Sequence, residues 1–213
     1  VALVWLAPAV VNDWGNKTSI SWQIVLAFLV FGGLLYPITA AQDKIDDRMN
    51  TAAPHSLDGM AFMIGSTYGD QDTIFDLAQD YDGIKWMQAN VQGSPVIVEG
   101  NTVEYRWGNR YTIYTGLPGV LGWNWHQRQQ RGFLNIDSIN ARLVEIPDFY
   151  KTTNVNDALK FIKKYDVKYI IVGQLERAYY PGDGLLKFET FNGTYWKEDF
   201  REKDTVIYEV MAQ

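Results

Sequence analysis

Cysteine is absent from the 213 residues. Disulfides, thiolate metal sites and cysteine nucleophiles are thereby excluded. Histidine is nearly absent as well. His55 and His126 are the only two, too few for a multi-histidine metal site. The chain also lacks a basic character. Its 19 Lys and Arg face 25 Asp and Glu, the net charge is −6, and a general nucleic-acid surface is excluded. No metal or cofactor is expected. What is present is apolar and aromatic: 47% of residues are hydrophobic, with 8 Trp, 13 Tyr and 10 Phe. That composition is globular rather than disordered. The length suits one domain with an appendage. The first residue is Val1 rather than Met, as expected of a fragment or a processed product.

The apolar residues are unevenly spread. Residues 20–40 read ISWQIVLAFLVFGGLLYPITA, without a charge. At ~1.5 Å per residue this run spans about 30 Å, the thickness of a bilayer core. Trp22 and Tyr36 stand near its ends, where interfacial aromatics belong. A signal peptide would carry a basic start and a shorter apolar run. The expectation is a transmembrane helix over 20–40. Val1–Val11 is also apolar and reads as the stump of an earlier span, with Asn12–Ser19 as the connecting loop. Residues 41–70 then form a Gly-punctuated connector, lying on the membrane or on the domain, and 71–213 a soluble domain. Lys and Arg are sparse on both sides of the run, so the positive-inside rule says little. Residues 49–213 carry a net −5. An acidic, Trp-rich domain points to the extracytoplasmic face of a cell membrane.

Within the soluble part the pattern is α/β. A helix is predicted from Tyr81, with Asp82 as N-cap and Ile84, Met87 and Val91 on one face. Val96–Val98 follows as a short buried strand. The unit recurs over Asn154–Gly173: Asn154 or Asn156 caps a helix, Asp166 turns the chain, and Tyr169–Val172 is a second buried strand. Two helix-then-strand units predict a Rossmann-like domain with a mainly parallel sheet. Alternation around Glu202, Lys203 and Asp204 predicts a C-terminal antiparallel hairpin at a sheet edge.

The stretch from Tyr105 to Ile136 follows the first buried strand, and ligands gather at the carboxyl ends of such strands. It holds no acidic residue but four arginines: Arg106, Arg110, Arg128 and Arg131. Aromatic residues interleave with them, among them Tyr105, Tyr111, Trp123 and Trp125. Guanidinium forks bind phosphate or carboxylate, and ring faces stack on sugars or on guanidinium. The turn Thr115–Gly116–Leu117–Pro118–Gly119 can offer backbone N–H groups to an anion. The candidate ligand site is therefore Arg106, Arg110, Tyr111, Thr115, Gly116, Trp123, Trp125, His126, Arg128 and Arg131, with at least two arginines converging near Thr115–Pro118. Glu99, Glu104 and Glu176 are the internal carboxylates available to neutralise the arginines. The alternative is that they do so, while the aromatics build core.

Several stretches together resemble one family. They are YPITA (36–40), SLDGMAFM (56–63), DYDGIKWM (80–87), PVIVEG (95–100), NRYTIYTGLPGVLGWNWHQRQQR (109–131), VKYIIVGQLER (167–177) and VIYEV (206–210). They resemble the C-terminal part of the "YYY" family of multispanning membrane proteins of phototrophic bacteria and archaea, over roughly residues 30–213. The TGLP…GW..HQ..QR pattern is the distinctive part. The resemblance implies upstream membrane helices and a relation to C-type membrane glycosyltransferases, which use lipid-phosphate sugars. In those enzymes the catalytic carboxylate sits in an early extracytoplasmic loop that this chain does not contain. No catalytic role is carried over.

Other polar groups read as structural. His126 has no carboxylate neighbour in sequence to make it a general base. Asp43, Asp46 and Asp47 alternate with Lys44 and Arg48, as on a solvated helix face. Asp70, Asp72, Asp76, Asp80 and Asp82 do not match the spacing of a calcium loop. Asn16–Lys17–Thr18 and Asn192–Gly193–Thr194 are glycosylation sequons. Two functions remain open. One is the terminal domain of a glycosyltransferase-like membrane protein that handles a lipid-phosphate sugar or a glycan. The other is a non-catalytic accessory subunit, bound to membrane lipid and to other membrane subunits of a bioenergetic or photosynthetic assembly. There the aromatics of 105–125 would be a protein interface.

Overall fold

The structure is a computed structural model, and it describes residues 16–49, 53–54, 56–132 and 136–211. The expected earlier apolar segment, Val1–Val11, lies outside the described residues. The chain divides at Ala52–Ala53 into two compact units.

The first unit is a helix, α1 (Asn16–Arg48), of 33 residues. It contains the whole of the apolar run and extends beyond it at both ends. Asn16–Ser19, read as loop, is helical, and so is the charged segment Asp43–Arg48. Among the described residues it is the one helix long and apolar enough to cross a membrane. Its apolar side chains are exposed all round, from Phe28 and Phe31 to Leu35 and Ile38. A helix apolar on every side has no single core-facing stripe. Pro37 lies inside it. The ring of a helical proline crowds the carbonyl four residues back, and that residue is Gly33, which adds no side chain to the crowding.

The second unit holds a small hairpin and a four-stranded sheet between two helical layers. The hairpin pairs β1 (Thr67–Asp70) with β2 (Thr73–Asp76). Next comes α2 (Leu77–Asn90), which begins earlier than expected. Asp76 caps it by accepting from the Ala78 N–H, so Asp82 is interior. Its inner face includes the polar Gln79 and Asp80 as well as Leu77, which hid the first turn from the apolar period. The sheet order is β3 (Val96–Val98), β4 (Val167–Val172), β6 (Thr205–Val210), β5 (Trp196–Glu202).

Only β3 and β4 run parallel, with Ile97 opposite Tyr169 and Val98 opposite Ile170. The pairs β4–β6 and β6–β5 are antiparallel. The sheet is thus mixed, which corrects the expectation of a mainly parallel, Rossmann-like sheet. Two helix–strand units supply only two parallel strands, and the C-terminal hairpin supplies the other half. The hairpin itself forms as read, turning at Lys203 with φ of 49°. Its second strand, however, is central: Val206, Ile207 and Tyr208 are all buried. β5 forms the edge, guarded by Lys197, Glu198, Asp199 and Arg201.

The other edge, β3, is covered. The Ile97 N–H donates to the Pro118 carbonyl, and the Val120 N–H donates to the Ile97 carbonyl. Side chains alternate across the sheet. Ile97, Ile171 and Ile207 face a cluster with Met60, Met63, Phe75, Ile84 and Tyr111. Val98, Ile170, Val172, Val206 and Tyr208 face a second cluster. That side is built on α5 (Asp137–Lys151) and α6 (Val155–Tyr165), the latter capped by Asn154 and ended by Asp166 at φ of 49°. The remaining helices, α3 (Arg110–Thr115), α4 (Asn124–Gln130), α7 (Gln174–Tyr179) and α8 (Leu186–Thr190), lie in the connections.

Lys187 of α8 is buried and meets no carboxylate. Its Nζ donates to the carbonyls of Tyr150 and Gly184 at 2.9 and 2.8 Å, and lies over the rings of Phe149 and Phe188. Burial pushes the amine down from its ordinary 10.5 to about 7.

Two outcomes follow from this packing. Ile171 is fully buried in β4. Ile171→Ala should cost about 2–5 kcal/mol in urea unfolding of the full chain in detergent. For Lys187 the folded state binds its proton less tightly than the unfolded chain does. Stability should therefore rise as pH rises from about 7 toward the unfolded value of 10.5. This slope should disappear in Lys187→Met, and an unchanged slope would show that the amine stays charged when folded.

Candidate functional site

The carboxyl ends of β3 and β4 are where a ligand was expected. β3 leads into Glu99 and Gly100, and β4 leads through Gly173 into α7, whose first turn carries Glu176. The side chain that reaches these ends is Arg110, from the start of α3. Its guanidinium makes a two-pronged contact with Glu176, at 3.1 and 3.0 Å. Its Nε lies 2.7 Å from Asp80 of α2, and Glu99 stands 3.7 Å away. All four groups are buried, with Arg110 only 1% exposed.

The carboxylates have further partners. Glu176 accepts from the N–H groups of Gly100 and Gly173, at 2.7 and 2.8 Å. Glu99 accepts from the N–H groups of Tyr111 and Thr112, at 3.0 and 2.8 Å. The start of α3 thus takes its anion from β3. The Trp107 indole donates to Asp80 at 2.7 Å. The electrostatics separate the two glutamates. Burial works to raise Glu176, but Arg110 and the two glycine N–H groups hold it below the ordinary carboxylate range. For Glu99 burial wins over the more distant guanidinium, and its carboxyl is pushed up. Burial also pushes the Tyr111 phenol well up.

Two members of the expected site, Arg110 and Tyr111, are interior. The anion position at the strand ends is filled by the chain's own Glu176 and Glu99. The turn at 115–119 is also spent internally. Thr115 Oγ1 donates to the Tyr111 carbonyl, Gly116 caps α3 at φ of 74°, and the Leu117 N–H donates to Thr115 Oγ1. Pro118 and Val120 pair with β3. Arg110 pairs with Glu176 and Asp80, Arg128 with Asn124 and Asn140, and Arg106 stands beside Tyr68 and Asp70.

The remaining candidates form an outer surface on α4 and the loop before α3. Tyr105 stands at φ of 63°, in the left-handed region. Its ring lies 5.3 Å from Trp123 and 5.5 Å from His126, and Trp123 and His126 are 5.5 Å apart. The Tyr105 hydroxyl is 3.3 Å from His126 Nε2. Tyr105 is 70% exposed and Trp125 56%. Glu104 holds α4 in place by accepting from the Trp125 N–H at 3.0 Å and from the Asn124 side chain. Arg128 bonds Asn124 and Asn140. Arg131 is exposed at the end of α4, and Arg106 is exposed beside Tyr68 and Asp70. Tyr105 was read as one of the aromatics near the site and is the ring that joins Trp123 to His126. Asp80 and Lys187 were missed. A buried aspartate inside a helix and a lysine among GLLKFET carry no sequence signal that separates them from surface charges.

Comparison with solved structures adds a structural likeness. No family model and no curated protein matches the chain. The structure is similar to the crystal structure of the C-terminal globular domain of an oligosaccharyltransferase from Archaeoglobus fulgidus. The TM-score is 0.40 and the identity 15%, over 62% of this chain and 96% of that one.

Arg110→Met leaves three buried carboxylates against no cation. It should destabilise the domain by about 3–5 kcal/mol in denaturant unfolding. Glu99→Gln should cost less than Glu176→Gln, because the guanidinium grips Glu176 with both prongs and lies farther from Glu99. The reverse order would show that Arg110 depends mainly on Glu99.

Proposed function

We propose that this chain is the terminal part of a glycosyltransferase-like polytopic membrane protein. In this reading α1 crosses the membrane, and the α/β domain stands on the extracytoplasmic face. The domain handles a lipid-phosphate sugar or a glycan, and the catalytic carboxylate lies outside this chain. The observation that carries the reading is the outer surface of Tyr105, Trp123, Trp125 and His126. Exposed ring faces such as those of Tyr105 and Trp125 are what a sugar stacks on, and Arg128 on α4 and Arg131 just past its end supply guanidinium forks for a phosphate. Binding rather than catalysis suits this surface. His126 has a phenol as its neighbour, and Glu104, the nearby carboxylate, is engaged at the start of α4.

A second reading has its own support. Val103, Tyr105, Ile113 and Trp125 are all exposed large side chains of one chain segment. Such a surface suits a protein interface within a larger membrane assembly, with other membrane subunits as partners.

Titration separates the two. A polyprenyl-phosphate sugar is titrated against the full chain in detergent, as wild type, Arg128→Ala and Trp125→Ala. A charge-assisted contact contributes about 1.5–3 kcal/mol, so Arg128→Ala should weaken binding by roughly tenfold or more. Equal affinities, or no binding by wild type, would favour the interface.

A further inference from the structure

The connector after α1 has two sides. Asp58 holds its start, accepting from the Met60 N–H at 2.9 Å. Tight turns follow, with the Met63 N–H donating to Met60 and the Ile64 N–H to Ala61. In a 3₁₀ turn, residues three apart share a side. Met60 and Met63 are accordingly buried in the cluster beneath the sheet. Leu57, Phe62 and Ile64 point outward: Leu57 is fully exposed, and Phe62 and Ile64 are substantially so.

Phe62 is held edge-on to Trp107, at 6.3 Å between ring centres. Two residues before Trp107 stands Tyr105, which belongs to the other aromatic cluster. Residues 105–107 therefore join the outward side of the connector to the surface on α4.

We infer that the outward side of 57–64, continued by Tyr105 and Trp107, is the face on which the domain rests at the bilayer interface. The inference rests on the reading of α1 as a membrane span. Three observations support the bilayer as occupant. The first is sequence position: Leu57 comes only nine residues after Arg48, so this side of the domain directly follows the apolar helix in the chain. The second is residue type, since Leu, Ile, Phe, Tyr and Trp beside an arginine are the side chains that settle at membrane interfaces. The third is charge. Asp58 is engaged by the Met60 N–H, and Asp70 accepts from the Tyr179 hydroxyl at 2.8 Å. Both carboxylates thus have hydrogen-bond donors within the domain. Because the domain is acidic overall, the suitable surface is zwitterionic rather than anionic lipid.

The absence of cysteine makes the test clean. Leu57→Cys, Phe62→Cys and Ile64→Cys are each labelled with a nitroxide in the full chain, in nanodiscs of zwitterionic phosphatidylcholine. Phe28→Cys in α1 and Val144→Cys on α5, on the opposite side of the sheet, serve as references. Collision of the label with oxygen, relative to a water-soluble nickel complex, reports depth. Labels at 57 and 64 should shift from the Val144 ratio toward the Phe28 ratio, with 62 following them. Ratios equal to that of Val144 would overturn the inference. So would immobilised labels reached by neither probe, which would mean a protein contact. A water-like ratio at Phe28 itself would overturn the span, so the two failures are distinguishable.

Discussion

One guanidinium fixes the end of this domain at which β3 and β4 finish. Arg110 lies against carboxylates from α2, from the end of β3 and from the start of α7, and none of the four groups meets solvent. Removing charges from water costs several kcal/mol per ion, and such a group is retained only if its partners are held in place. The fold holds them with backbone. Gly100 and Gly173 donate to Glu176, and the first turn of α3 donates to Glu99. Both glycine positions are crowded. A Cβ at Gly100 would stand 2.9 Å from Glu176, and one at Gly173 would stand 3.0 Å from Arg110.

This cluster fills the carboxyl ends of the parallel pair. The carboxyl ends of a parallel strand pair are a natural anion site, with converging N–H groups and helix starts. Here Glu176 and Glu99 occupy it. The exposed chemistry is displaced outward, to α4 and to the loop carrying Tyr105 and Trp107. That loop is itself tied to the cluster through the Trp107 indole and Asp80. The outer surface is thus positioned by the buried ion group without sharing its charges.

How much of this was legible in the sequence depended on range. The uncharged run, the two buried strands, the Asn154 cap and the turn at Asp166 are set by composition and by contacts a few residues apart. All of these are seen in the structure. The C-terminal hairpin was legible for the same reason. The order of strands was not, because β6 reaches the centre by pairing with β4, some forty residues earlier. The start of α2 was missed because its inner face carries Gln79 and Asp80, whose burial depends on partners across the domain.

The four arginines show the division most clearly. The sequence determined that they stand in a stretch free of acids and need neutralising from elsewhere, and that Glu176 follows the second strand. Which arginine would be buried is a long-range matter, since Arg110 and Glu176 are 66 residues apart. Only the tertiary structure decided that Arg110 goes inside while Arg106, Arg128 and Arg131 stay at the surface. The reason is physical. A charge can leave water only where a complete set of partners converges, and that convergence is a property of the packed sheet and its helices. No spacing along the chain encodes it.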